Sequence, residues 1–146
     1  MVVGGLIPVS TFDVKGKNDT KGGVNMIYNN SSKDVFLLVA DFSNKNSSFI
    51  NILCSVKHVM INHYLGIINA YLHPNAENVF SARLTNIEPF NKPNFYLDKS
   101  NKKIYLKIPS YSQASFIILN KAPNDSDTIA FQKGIYVDSV EGMEEI

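Results

Sequence analysis

The sequence holds one cysteine, no tryptophan and one arginine against thirteen lysines, and nowhere does an apolar run reach eighteen residues. Each shortage closes off a class of function. A lone cysteine, Cys54, leaves no internal disulfide and no cysteine zinc site. It falls in the apolar run Phe49-Ile50-Asn51-Ile52-Leu53-Cys54, where a thiol acts as a small hydrophobe and no flanking cation would lower its pKa. Short apolar runs give no membrane-spanning helix. The apolar start, residues 1–7, has no basic lead and is too short for a signal core, so we expect no signal peptide and folding in a cytoplasm. Charge is scarce too: 18% of residues, with 14 basic side chains against 13 acidic ones and a net charge of +1. That balance offers no field to draw in nucleic acid or an anionic membrane.

Catalytic signatures are equally thin. His58 and His63 are five apart, a spacing that puts them on opposite faces of a strand, and His73 stands alone; all three read as strand or turn histidines rather than metal ligands. There is no Gly-x-Ser-x-Gly elbow to aim a nucleophile. The pairs Gly4-Gly5 and Gly22-Gly23 lack the Lys-Ser/Thr that a phosphate loop needs. Two carboxylates could hydrolyse a glycan. Here, however, Asp98, Asp125 and Asp127 fall in turns, and Glu141, Glu144 and Glu145 in the tail, solvated positions where a raised carboxylate pKa is hard to produce. The acidic end, residues 140–146, reads as a frayed terminus rather than an interaction tail. We therefore expect no enzyme, no metal and no cofactor.

What is plentiful is asparagine, serine and alternation. Asn and Ser bond the local backbone, which suits turns and strand edges and disfavours helix interiors. A chain of 146 residues fits one domain and can bury a core without staples. Residues 13–23 are polar, Gly-rich and aperiodic, and mark residues 1–23 as a lead and flexible linker before a body over 24–146. In the body, strands are predicted at residues 24–28, 34–42, 48–61, 64–72, 79–87, 95–97, 103–108, 113–120 and 128–137. The stretch 34–42 (DVFLLVADF) is almost wholly apolar and should be covered on both faces. The next strand alternates: Ile50, Ile52, Cys54 and Val56 against Asn51, Ser55 and Lys57. Gly66 suggests a bulge or a close backbone approach. A helix over 52–72 is the rival there, weakened by β-branched residues and by Gly66. Residues 95–108 read as a hairpin with Ile104, Leu106 and Ile108 inward and Lys103, Tyr105 and Lys107 outward. Eight to nine strands at this rhythm predict an all-β antiparallel sandwich or jelly roll.

The tyrosines around that hairpin are the candidate site. Arg83, Tyr96, Tyr105, Lys107 and Tyr111 combine stacking rings with hydrogen-bonding cations, as a sugar or protein surface would meet. Ordinary sheet surface or a subunit contact is the plainer reading of the same residues.

Residues 94–120, NFYLDKSNKKIYLKIPSYSQASFIILN, carry a resemblance. A strand ending Tyr-Leu, an Asp/Lys/Asn turn, then Tyr-Leu-Lys-Ile-Pro-Ser-Tyr-Ser and an apolar strand resemble the terminal β domains of bacteriophage tail fibres and baseplate receptor-binding proteins. An opening strand such as Val35-Phe36-Leu37-Leu38-Val39-Ala40 precedes that pattern in the family, so the likeness spans roughly residues 34–140. The resemblance implies a virion protein, a homotrimer of β-sandwiches mounted on other tail or baseplate proteins and touching cell-surface glycan or teichoic acid. Two departures stand out: the family's tryptophan near the opening strand is missing, and residues 1–23 hold no collagen-like or coiled-coil stalk pattern, as expected of either a whole small virion protein or an excised tip. Residues 116–119 are apolar on both faces of their strand, so both sides want cover, which sister subunits would supply. The alternative function is a stand-alone carbohydrate-binding or bacterial surface-adhesion module, with a small hydrolase a distant third.

Overall fold

In the computed structural model the described residues are 25–58, 62–75 and 79–146. The expected lead and linker, residues 1–23, lies outside them. Ten strands follow in chain order: β1 (Asn25–Asn29), β2 (Val35–Asp41), β3 (Ser48–His58), β4 (His63–Leu72), β5 (Phe80–Asn86), β6 (Phe95–Asp98), β7 (Lys103–Ile108), β8 (Ser112–Lys121), β9 (Tyr136–Val137) and β10 (Glu144–Glu145). All pair antiparallel in two sheets of five, with order β1-β8-β3-β4-β5 in sheet I and β10-β6-β7-β2-β9 in sheet II. The fold is a β-sandwich, as the alternation predicts. The nesting of β1 with β8 and β2 with β7 is jelly-roll-like; the β3-β4-β5 meander and the β6-β7 hairpin are not. The rival helix over 52–72 is absent from the described residues of that stretch, which form β3 and β4.

Alternation decides what fills the space between the sheets. From sheet I come Ile50, Ile52, Cys54, Val56, Ile68, Ala70, Leu72, Ala114 and Phe116; from sheet II come Leu37, Phe95, Leu97, Ile104, Leu106 and Ile108. Cys54 lies here fully buried, and burial pushes its thiol pKa up, so it is inert packing. Gly66 has a reason as well. A Cβ at that position would stand 3.1 Å from Leu84 Cδ1, 3.1 Å from Pro93 Cδ and 3.2 Å from the Thr85 carbonyl. The chain after β5 presses there against β4, and no side chain fits without displacement. Asn29 ties the two sheets at one end: buried at the close of β1, its amide donates to the carbonyls of Lys33, Ile108 and Pro109.

The C-terminal part differs from expectation. Residues 128–137 were predicted as one strand; the structure has 3-10 turns at Ser126–Thr128 and Phe131–Lys133, and only Tyr136–Val137 pairs as β9. The reason is topological. Phe131 is fully buried in the sandwich core, stacked on Phe116 with centroids 4.4 Å apart, whereas its neighbour Ala130 packs with Leu38 and Tyr105 on the far side of sheet II. The chain turns around the β2 edge between these two residues, and Gly134 at φ 67° completes the change of direction. Ala130 N–H donates to the Val39 carbonyl and Leu38 N–H to that of Ile135 along that edge. The chain then crosses the outer face, laying Val137, Val140 and Met143 over Leu38 and Tyr105, and ends as β10 on β6. Residues 140–146, expected to fray, are a docked strap instead: Ile146 N–H donates to the Phe95 carbonyl, and the Ile146 side chain packs on the core. A single segment thus caps both edges of sheet II and roofs its outer face, the commonest hazard of an open sheet.

Candidate functional site

The five side chains proposed as a ligand site do not converge. Tyr96 and Tyr105 face each other across β6 and β7 on the outer side of sheet II. Tyr105 is only 5% exposed because the strap covers it, so it cannot meet a ligand; the outward direction was read correctly but the roof was not foreseen. Tyr96 is half-buried, edge-on to Phe36 with centroids 5.8 Å apart. Loss of solvent lifts the phenol pKa of both tyrosines. Arg83 is exposed on β5, in the other sheet. Lys107 is on the same side of β7 as Tyr105, near enough for its charge to act on the Tyr96 phenol, and it also neighbours the turn that carries Tyr111. Asp34 pairs with Lys107 Nζ at 3.5 Å and accepts the Ser110 N–H, while the Tyr111 N–H donates to the Ser31 carbonyl. Tyr111 takes a positive φ of 54° in the β7-β8 turn, which throws its ring into solvent at one end of the sandwich.

A different surface comes into view on sheet I, whose outer face carries no roof among the described residues. Apart from one register shift between β3 and β8 its strands alternate, so the registers define rows across the sheet. One row reads Tyr28, Gln113, Lys57, His63; the next Met26, Ser115, Ser55, Leu65; the third Ile117, Leu53, Ile67, Thr85. A fourth row is polar. Asn51 donates to the side chain of Asn69 at 2.7 Å, Asn69 donates to Thr85 Oγ1 at 3.2 Å, and Arg83 lies opposite Asn69 on β5. The fifth row places Phe49 directly opposite Tyr71, 36% and 39% exposed, with Ser81 beyond them. His73 meets the Tyr71 ring edge-on at 4.7 Å. None of the strands of sheet I contains an aspartate or glutamate.

The sequence contained half of this. Asn51, Ser55 and Lys57 were placed on one side of their strand correctly, but Phe49 and Tyr71 were not grouped, because β3 and β4 pair over ten positions and only the register sets those two rings opposite each other. A period-two pattern names a face and does not give its neighbours.

Chemically this face can stack, donate and accept, and little more. A serine and an imidazole do meet: Ser55 Oγ and His63 Nε2 are 2.9 Å apart, with Phe90 edge-on to the imidazole at 4.8 Å. The pair is half-buried on the outer side of the sheet, and the strands around it bring no carboxylate to orient the imidazole and no helix end to stabilise an oxyanion. Among the described residues no three His, Cys, Asp or Glu side chains stand close enough to hold a metal ion. No helix among them is long and apolar enough to cross a membrane. An ion cluster marks the end where the strap begins: Lys45 bonds Asp125 and Asp127, each at 2.9 Å, and Ser48 Oγ donates to Asp125. It fastens the β2-β3 loop to the first 3-10 turn, a structural tie. No family model, curated protein or solved structure matches the chain.

Proposed function

We propose that this chain is a non-catalytic adhesion and assembly module of a bacteriophage tail appendage, a homotrimer that sits in the virion on other tail or baseplate proteins and touches cell-surface glycan or teichoic acid. The observation that carries the reading is the contrast between the two outer faces. One sheet is roofed by its own chain. The other leaves Met26, Tyr28, Phe49, Tyr71 and Leu119 between 36% and 52% exposed around half-buried Leu53, Ile67 and Ile117. A soluble domain rarely keeps so much apolar surface on one flat face unless something binds there. The resemblance of residues 94–120 to tail-fibre and baseplate domains supplies the context. Of the side chains expected to meet a glycan, Tyr111 and Lys107 keep accessible groups, together at one end of the sandwich.

Solution mass by light scattering tests the assembly. A trimer at micromolar concentration is the expected result, and a stable monomer would remove the virion reading in favour of the free-standing carbohydrate-binding module. That alternative draws on the same open face, whose paired rings and amide row are groups that sugars meet. Virion placement is checked separately, by mass spectrometry of purified particles.

A further inference from the structure

We infer that the Phe49–Tyr71 end of the open face is a carbohydrate platform, built for an anionic polyhydroxylated chain. This rests on the adhesion reading above but names a different place from the Tyr111 end.

Three observations carry it. First, the two rings are Cα partners on neighbouring strands and both point outward, so their side chains start about 5 Å apart on one side of the sheet. A sugar ring presents an apolar C–H face that such rings cover at low entropic cost, since each aromatic side chain has only two torsions to fix. Second, the adjacent row holds two planar amides already locked in place. Asn51 donates to Asn69 at 2.7 Å, and Asn69 donates to the Thr85 hydroxyl of the next row at 3.2 Å. The half-buried Asn69 amide also leans on the Ile67 carbonyl at 3.4 Å, so the row is set before a ligand arrives. Preset donors and acceptors lower the ordering cost of binding. Third, the strands of this face carry a cation and no carboxylate: Arg83 stands exposed beside Asn69, and none of the five strands of sheet I holds an aspartate or glutamate. Asp125 and Asp127, beyond the strands, are both bonded to Lys45. A guanidinium fork beside an aromatic pair selects a carboxylate or phosphate on the sugar chain over a neutral one.

The central apolar row of Ile117, Leu53 and Ile67 separates this platform from Met26 and Tyr28 at the other end of the face. A subunit contact over the Tyr28 end therefore leaves the platform free.

Titration calorimetry on the full chain tests this with three probes: oligogalacturonate as a uronate, poly(glycerol phosphate) as a polyol phosphate, and a neutral cello-oligosaccharide. Binding of at least one anionic probe, weakening as salt rises, is expected. Tyr71→Ala should weaken it about tenfold or more, as truncation of an aromatic anchor does. Arg83→Gln should cost about tenfold for the anionic probe and leave any neutral binding unchanged. Lys133→Ala, an exposed change outside both ends of the open face, should leave the affinity unchanged. Which anionic probe binds separates the two sources of charge. Solution mass and the far-ultraviolet spectrum should stay constant through the series.

A trimer that binds neither anionic polymer overturns the platform and leaves the assembly standing. A monomer that binds through Tyr71 upholds the platform and ends the trimer. Binding lost in Tyr111→Ala but kept in Tyr71→Ala moves the contact to the other end and refutes the inference. A changed mass in Tyr71→Ala with unchanged affinity makes this end a subunit contact and refutes it equally.

Discussion

The two outer faces of this sandwich obey one rule and reach opposite ends. On sheet II, β2 is apolar along nearly its whole length, so Phe36 and Leu38 point away from the core as surely as Leu37 points into it. An apolar outer face must be covered, and residues 129–146 cover it. On sheet I, β3 and β5 alternate properly, with Asn51, Ser55, Lys57, Arg83 and Thr85 taking the outward positions. An antiparallel sheet of that kind can face water on one side. The lesson is that a run without alternation calls for a second layer and does not say which chain provides it. Here it is the protein's own C-terminus.

The largest expected effect comes from loosening the roof at its root. Phe131 is fully buried and stacked on Phe116 with an interplanar angle of 13°. Phe131→Ala should cost roughly 3–5 kcal/mol of unfolding free energy, through lost burial and an unfilled cavity. Phe49→Ala, an aromatic truncation on the open face, should fall within about 0.5 kcal/mol of the wild type. Urea midpoints of the two variants measure the contrast directly. Equal losses would mean that the open face is held as firmly as the roofed one, and the distinction between them would fail.

How far the fold could be read from sequence follows the same division. Strands β2 to β8 were legible because their side chains alternate, or pointedly fail to, and turn residues separate them. The strap was not legible. Ile129, Phe131, Val137, Val140 and Met143 bury their side chains in different places, two toward the core and three over the outer face, and no single period describes a segment that rounds a sheet edge. Residues 116–119 were read as asking for a sister subunit. Ile117 is half-buried within its own sheet and Leu119, beside the register shift against β3, is 52% exposed, so one position still asks. The site was the least legible part. Tyr105 looks like a surface tyrosine until residues far downstream are laid across it, and Arg83 looks near Tyr96 until the two strands fall in different sheets. Pairing across the fold, set by tertiary register, lies beyond local pattern.

A middle-sized effect sharpens the comparison from the side of sheet I. Gly66→Ala would push a methyl to within 3.1 Å of Leu84 and Pro93 and 3.2 Å of the Thr85 carbonyl. The two side chains can shift by a few tenths of an ångström, but the carbonyl belongs to the β4-β5 ladder and cannot. A loss of about 1–3 kcal/mol is expected, the usual cost of overpacking. Thermal melts of this variant should show one transition, because β4 lies inside its sheet, paired with β3 on one side and β5 on the other. A second, earlier transition confined to sheet I would mean that the two layers unfold separately, and the roof would then be stabilising only its own half.

The smallest effect belongs to the junction, where the chain leaves β8 for the strap. Asp125 accepts from Ser48 and from Lys45, in that order of influence, and both hold its carboxyl below the usual range; Asp127 is lowered by Lys45. Lys45 is raised in return, first by Asp125. A depressed carboxyl contributes stability that is complete above its unfolded pKa of about 4 and is lost as pH falls through the folded value. The raised ammonium contributes below about 10.4 and is lost as pH climbs above it. The tie is therefore whole between roughly pH 5 and 9 and opens first on the acid side. Since Asp127 is exposed and the cluster lies at the surface, the gain is small and salt will shrink it. Melting curves of wild type and Asp125→Asn should differ by a constant amount from pH 5 to 7 and converge as pH falls through the depressed folded pKa, where the wild-type carboxyl also loses its charge. Asparagine keeps an acceptor for the Ser48 hydroxyl, so a gap that did not shrink in acid would show charge to be irrelevant to the tie. The root of the strap would then be held by Phe131 and its packing alone.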